Sequence, residues 1–127
     1  MGEESKPVIY IVDDDESVLR AMKRLISSMD MDVQTFASGR EFFDSDYRNQ
    51  NACLIVDVKM PGMSGMELQQ KLVAKGSKLP VVFITAFDTE KIRGEAKKAG
   101  AAGYFRKPVD DQALLDSIQW ALSNQAS

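Results

Sequence analysis

The chain has no histidine among its 127 residues and a single cysteine, Cys53. Without histidine, His-dependent triads and most zinc sites are excluded, and any phosphohistidine chemistry must come from another molecule. One cysteine forms no internal disulfide and has no second thiol or imidazole for a metal site; inside an apolar run, Cys53 reads as a small core residue. No apolar stretch approaches the ~20 residues needed to cross a bilayer, and the acidic, polar start Met1-Gly2-Glu3-Glu4 is no signal peptide. Membrane association is therefore not expected, and the cytoplasm is the expected compartment. An excess of positive charge is lacking too: 16 Lys and Arg against 19 Asp and Glu leave a net charge of −3, which disfavours nonspecific nucleic-acid binding. With no repeat, low-complexity tract or linker, residues 1–127 read as a single domain, long enough to bury roughly two-thirds of its unfolded surface.

What is present is a regular alternation of strand-like and helix-like stretches. Val8-Ile9-Tyr10-Ile11-Val12 is a β-rich run that stops at Asp13-Asp14-Asp15. From Glu16 to Met29, Val18, Leu19, Met22, Leu25, Ile26 and Met29 recur at the spacing of one helical face. Val33 to Phe36 predicts a second strand, and Ser38 to Glu41 has capping-box spacing before a helix carrying Phe42 and Phe43. The apolar run ending in Asp57, followed by Pro61-Gly62-Met63-Ser64-Gly65, predicts a buried third strand and a turn. A helix over 66–75 is expected to bury Leu68, Leu72 and Val73. Val81 to Ile84 predicts a fourth strand ending at Thr85-Ala86. The stretch 88–99 has helical spacing but few large apolar groups and an interior Gly94, so it is expected to be the least firmly held helix. Tyr104-Phe105-Arg106 predicts a fifth strand and Lys107-Pro108 a turn. Asp110 or Asp111 then caps a last helix with Leu114, Leu115, Ile118, Ala121 and Leu122 inward and Trp120 outward. Such alternation implies a doubly wound α/β fold, a parallel sheet with helices on both sides.

In an open parallel sheet, ligands bind outside the carboxyl ends of the strands. Those ends deliver Asp13 and Asp14 from the first strand, Asp57 from the third and Thr85 from the fourth, with Lys107 after the fifth. Converging carboxylates repel one another unless a cation lies among them. An all-oxygen donor set indicates a hard ion, and Mg²⁺ fits best, with Mn²⁺ the alternative. A carboxylate beside such a cation can attack a phosphoryl group to give an acyl phosphate, with Lys107 offering positive charge and Thr85 a hydroxyl. Asp15 and Glu16 read as helix-start acids. The basic excess between residues 88 and 107 (Lys91, Arg93, Lys97, Lys98, Arg106, Lys107) reads as a solvated helix face or a docking face.

In that order and spacing, Asp13-Asp14, Asp57-x-x-Met60-Pro61-Gly62-Met63-x-Gly65, Thr85-Ala86 and Lys107-Pro108 resemble the receiver domain of bacterial two-component response regulators, over residues 6–123. The resemblance implies a flavodoxin-like sheet of order 2-1-3-4-5 flanked by five helices. It implies Asp57 as phosphoacceptor, Asp14 as a direct metal ligand, Asp13 as a ligand through water and Lys59 as one through its backbone carbonyl. It also implies a cis peptide before Pro108 and a switch in which Thr85 moves toward the phosphoryl group and Tyr104 turns inward. The implied partners are a histidine kinase or histidine phosphotransfer protein. An output domain or a second copy would meet the surface of the fourth helix, fifth strand and fifth helix. The domain is expected to be a signalling module, catalysing only its own phosphorylation and dephosphorylation.

Lys59 and Phe87 occupy the positions that tune phosphoryl lifetime in the family, and a bulky Phe87 suggests slow loss. Val109 departs from the Phe common in relatives. Thr85-Ala86-Phe87 resembles the subfamily that carries a C-terminal DNA-binding domain; no helix-turn-helix segment follows residue 123, so direct DNA reading by this chain is not expected. Three other readings compete. A flavin-binding module needs a phosphate-cradling loop where this chain has four acids. An Asp-nucleophile phosphatase needs a second Asp where Lys59 stands. A degenerate receiver serving only as a scaffold is disfavoured by the presence of every expected acid.

Overall fold

The computed structural model describes residues 6–125. Its elements alternate along the chain: β1 (Val8–Val12), α1 (Glu16–Ser27), β2 (Asp32–Phe36), α2 (Gly39–Phe43), β3 (Ala52–Asp57), α3 (Gly65–Ala74), β4 (Val81–Thr85), α4 (Glu90–Lys98), β5 (Gly103–Arg106) and α5 (Asp111–Gln125). The five strands pair in parallel in the order β2-β1-β3-β4-β5. The expected architecture and strand order are both found. Among the described residues, no helix is long and apolar enough to cross a membrane.

Strand periodicity sorts the core into two layers. Tyr10, Val12, Leu54, Val56 and Phe83 face Phe42, Leu68 and Leu72 of α2 and α3, while Ile9, Ile11, Ile55 and Ile84 face Leu19, Ile26, Leu114 and Ile118 of α1 and α5. The central strands are buried on both faces, which is why they read as unbroken apolar runs. Each fully buried Ile, Leu or Phe contributes about 1.5–3 kcal/mol relative to exposure. Cys53 lies in this interior, where burial pushes its thiol up to about 12, so it stays protonated and inert.

Side-chain caps set the helix starts. Asp15 accepts from Ser17 N–H at 2.9 Å, Ser38 from Glu41 N–H at 3.1 Å, and Ser64 with Glu67 closes a reciprocal capping box on α3. Of the two acids offered for α5, Asp110 makes the cap, accepting from Ala113 N–H at 2.9 Å.

Several expectations are corrected. Helix α1 ends two residues early, leaving Met29 39% exposed. Val73 is 59% exposed on α3, and Gln69 is buried in its stead because its amide finds the Ala99 carbonyl at 2.7 Å. Helix α4 begins at Glu90, since Thr89 caps it by accepting from Ile92 N–H at 3.1 Å; Asp88 therefore lies in the preceding loop. As expected, α4 buries little: Ala96 is its one fully buried residue, with Ile92 partly covered.

Two glycines allow opposite tests. A Cβ on Gly65 would meet the Asp57 carbonyl oxygen at 2.5 Å, because α3 starts directly against the end of β3. Gly65→Ala is expected to cost about 1–3 kcal/mol in urea unfolding. Gly94 faces open space within α4, so Gly94→Ala is expected to add about 0.5–1 kcal/mol.

Candidate functional site

Backbone hydrogen bonds extend the sheet one residue past its strands and fix the site. Asp13 N–H donates to Phe36 O at 3.1 Å, Val58 N–H to Ile84 O at 2.9 Å, and Lys107 N–H to Thr85 O at 2.8 Å. Gly65 N–H donates back to Val58 O at 3.0 Å, holding the loop after β3 close to the edge. The peptide between Lys107 and Pro108 is cis, as the resemblance implied.

These constraints bring the expected acids together. One carboxylate oxygen from each of Asp13, Asp14 and Asp57 lies within 4.8 Å of the others. Asp13 is wholly buried, Asp57 is 6% exposed and Asp14 is open to solvent. The acidic block after β1 thus divides its labour: Asp13 and Asp14 join the cluster, Asp15 caps α1, and Glu16 lies 3.6 Å from Arg20 on the helix surface.

Lys107 reaches into the cluster from the opposite side. Its Nζ lies 2.8 Å from Asp13 Oδ2 and 3.0 Å from Asp57 Oδ2. The Asp57 contact is a hydrogen bond, and at 2.8 Å the Asp13 contact is a close charge pair, so the one ammonium compensates both buried carboxylates. Asp13 Oδ1 accepts from Asp15 N–H at 3.0 Å and Asp57 Oδ1 from Lys59 N–H at 3.2 Å. Three carboxylates with one ammonium leave surplus negative charge, and oxygen donors from all three acids are gathered at one point. Both features fit a hard cation held by oxygen ligands.

The electrostatics carry the same imbalance. Burial first, and the neighbouring Asp13 charge, raise the Asp57 pKa above the ordinary carboxylate range, against the opposing pull of Lys107 and the Lys59 amide. For Lys107, burial would lower the pKa, but its bonds to Asp13 and Asp57 outweigh it and raise the value.

Thr85 is fully buried at the end of β4, and its Oγ accepts from Phe87 N–H at 2.9 Å, so the hydroxyl is engaged within its own loop. Phe87 is 59% exposed and Lys59 Nζ stands 5.3 Å from its ring centroid, a cation–π contact between the loops after β3 and β4. Tyr104 does not enter the cluster. Its hydroxyl donates to Asp88 Oδ1 at 3.0 Å, and Arg93 Nη2 lies 2.8 and 2.7 Å from the two Asp88 oxygens.

Sequence reasoning missed Asp88, Arg93 and the close approach of Gly65. Asp88 and Arg93 are five apart and straddle a helix cap, outside the i, i+4 spacing that marks helical ion pairs. The Gly65 clash depends on tertiary placement, which the reading of residues 61–65 as a turn does not reveal.

Comparison with known proteins agrees with this geometry. The family described as the response regulator receiver domain matches residues 9–119. The transcriptional regulatory protein TdiR of Thauera aromatica is 37% identical over 115 residues, covering 91% of this chain and 51% of TdiR. The response regulator protein TodT of Pseudomonas putida is 40% identical over 115 residues, with the same coverages of 91% and 51%. Among solved structures, response regulator StyR superposes with a TM-score of 0.89 at 41% identity, over 96% of this chain and 62% of StyR. FixJ-N superposes with a TM-score of 0.86 at 29% identity, over 98% of this chain and 99% of its own. The chain belongs to the response regulator receiver domain family, the signalling module of two-component systems. It spans about half the length of the curated relatives it matches.

The raised Asp57 pKa has a consequence for stability. An acid that holds its proton more tightly when folded favours folding at low pH, and that contribution is lost as pH rises through its folded value. In the presence of a chelator at neutral pH, Asp57→Asn is therefore expected to raise Tm by a few degrees. The difference should shrink toward acidic pH, as thermal scans across pH will read.

Proposed function

We propose that Asp57 accepts a phosphoryl group from a phosphohistidine on a partner protein and that Thr85 and Tyr104 convert this event into a change of surface around α4, β5 and α5. The observation that carries the reading is the meeting of Asp13, Asp14 and Asp57 around the Lys107 ammonium at one sheet edge. These 127 residues hold no histidine, so the phosphohistidine lies outside them, and in this reading it is carried by a histidine kinase or a histidine phosphotransfer protein.

In the transfer, an Asp57 carboxylate oxygen attacks phosphorus, forming the O–P bond as the P–N bond to imidazole breaks. The imidazole nitrogen leaves with the bonding pair. Lys107, already beside Asp57, balances charge on the phosphoryl oxygens, and the Thr85 hydroxyl leaves its loop to donate to one of them. Asp13, Asp14, Asp57 and the Lys59 backbone carbonyl are the groups that would hold Mg²⁺, or Mn²⁺ in its place. When bound, the ion supplies positive charge to the acids and the phosphoryl group. The open, mainly apolar groove lined by Val18, Met22, Leu25, Val109 and Leu114 borders Lys107 and Pro108, and we assign it to the phosphodonor.

Residues 1–127 act in this reading as one receiver domain with its core over 6–123, in the cytoplasm, catalysing only its own phosphorylation and dephosphorylation. The greater length of relatives such as TdiR, named a transcriptional regulatory protein, supports control of an output domain. A second copy docking through α4, β5 and α5 is the other route to output. Lys59 and Phe87 face each other over the adjacent loops and tune phosphoryl lifetime, with Phe87 slowing access of water.

Intact mass after incubation with phosphoramidate and Mg²⁺ tests the assignment. A single phosphoryl adduct is expected on the native chain, and none after Asp57→Asn or in the presence of a chelator. An adduct that persists in Asp57→Asn would refute the assignment. Once phosphorylated, Phe87→Ala is expected to lose phosphate several-fold faster than the native protein, measured as phosphate release after the donor is removed.

A further inference from the structure

Helix α4 is held less by apolar burial than by polar ties at its two ends. At its carboxyl end, the buried Gln69 amide donates to Ala99 O at 2.7 Å. At its amino end the tie is Asp88, which sits three residues after Thr85 in the loop between β4 and α4. Asp88 accepts from the Tyr104 hydroxyl at 3.0 Å and pairs with Arg93 on the first turns of α4 at 2.7 Å. Although it lies in a loop, its side chain is only 16% exposed. The Tyr104 ring lines the cleft beside α4 together with Arg93, Gly94 and Ala101. In the same structure the Thr85 hydroxyl is taken up by Phe87 N–H, and the partners of Asp57 are Lys107 and the Lys59 amide. The arrangement around Tyr104 therefore coexists with a Thr85 that is not engaged with Asp57.

We propose that Asp88, braced by Arg93, is a positioning residue that holds Tyr104 against α4 and so sets how readily the domain switches. The proposal rests on the reading of Asp57 as phosphoacceptor. A carboxylate only accepts hydrogen bonds, so the pairing requires a Tyr104 phenol that keeps its proton. Burial and the adjacent Asp88 charge both favour that protonated form. Arg93 neutralises Asp88 and fixes its orientation, leaving the carboxylate preorganised for the phenol. A bond made in the resting form and given up in the switched form lowers the apparent affinity for anything that selects the switched form. Loss of that bond must therefore tighten binding of a phosphoryl group while weakening the resting fold. A merely structural contact would weaken the fold without tightening binding.

The test titrates the full chain, with Mg²⁺ present, with beryllofluoride as the phosphoryl analogue, followed by ¹⁹F resonance, beside urea unfolding without the analogue. Asp88→Ala removes the acceptor and Tyr104→Phe the donor, so each deletes the same bond. Each is expected to lower the half-saturating concentration about three- to tenfold and to lower unliganded stability. The double variant is expected to tighten binding no further than either single one, because both remove the same bond. Arg93→Gln is expected to shift binding in the same direction by a smaller factor. Variants that bind with unchanged or weaker affinity, or whose effects simply add, would overturn the proposal while leaving Asp57 as the acceptor. A native chain that binds the analogue no better than Asp57→Asn would overturn both.

Discussion

Everything at this sheet edge depends on one ammonium group placed between two carboxylates that water scarcely reaches. Lys107 stands 2.8 Å from Asp13 and 3.0 Å from Asp57, and without it a fully buried Asp13 would face its neighbours uncompensated. Removing Lys107 would leave both carboxylates desolvated without a counter-charge, which costs more than either pair contributes. The surplus negative charge that Lys107 leaves unbalanced is of the kind a hard cation would balance. In the proposed transfer, the same ammonium meets the phosphoryl group.

The fold contributes placement. Parallel register aligns the carboxyl ends of β1, β3, β4 and β5, and backbone bonds just beyond those ends carry Asp13, Val58 and Lys107 into fixed positions. Gly65 allows α3 to start in contact with the Asp57 backbone, so Asp57 is pinned from behind. The rigid part of the site is thus built on strands buried on both faces. The segment proposed to respond, from Thr85 through Asp88 into α4, leads into a helix with little apolar burial and polar ties at its ends.

That division explains what could be read from the sequence. Unbroken apolar runs ending in Asp13, Asp57 and Thr85 announce buried strands whose last residues face a common crevice, so the architecture and the meeting of acids were legible from pattern alone. The strand order and the cis peptide before Pro108 came through family likeness, since periodicity carries no information about which strands adjoin. What escaped were contacts that depend on tertiary placement. Val73 has the right helical spacing for burial, but Gln69 takes the interior by finding a carbonyl on the neighbouring helix. Asp88 looked like the start of α4 until Thr89 proved the better cap, which freed the carboxylate to bind Tyr104 and Arg93.

In the proposed switch, a phosphoryl group on Asp57 draws Thr85 out of its own loop toward the acid cluster. A crystal structure of the chain with Mg²⁺ and beryllofluoride tests it most directly. The expected result is the analogue on an Asp57 oxygen, the metal among Asp13, Asp14 and Asp57, Lys107 paired with the analogue, and the Thr85 hydroxyl turned from Phe87 N–H to a fluorine. An analogue bound on Asp57 with Thr85 still accepting from Phe87 would contradict the coupling, and an unmodified Asp57 would contradict the site.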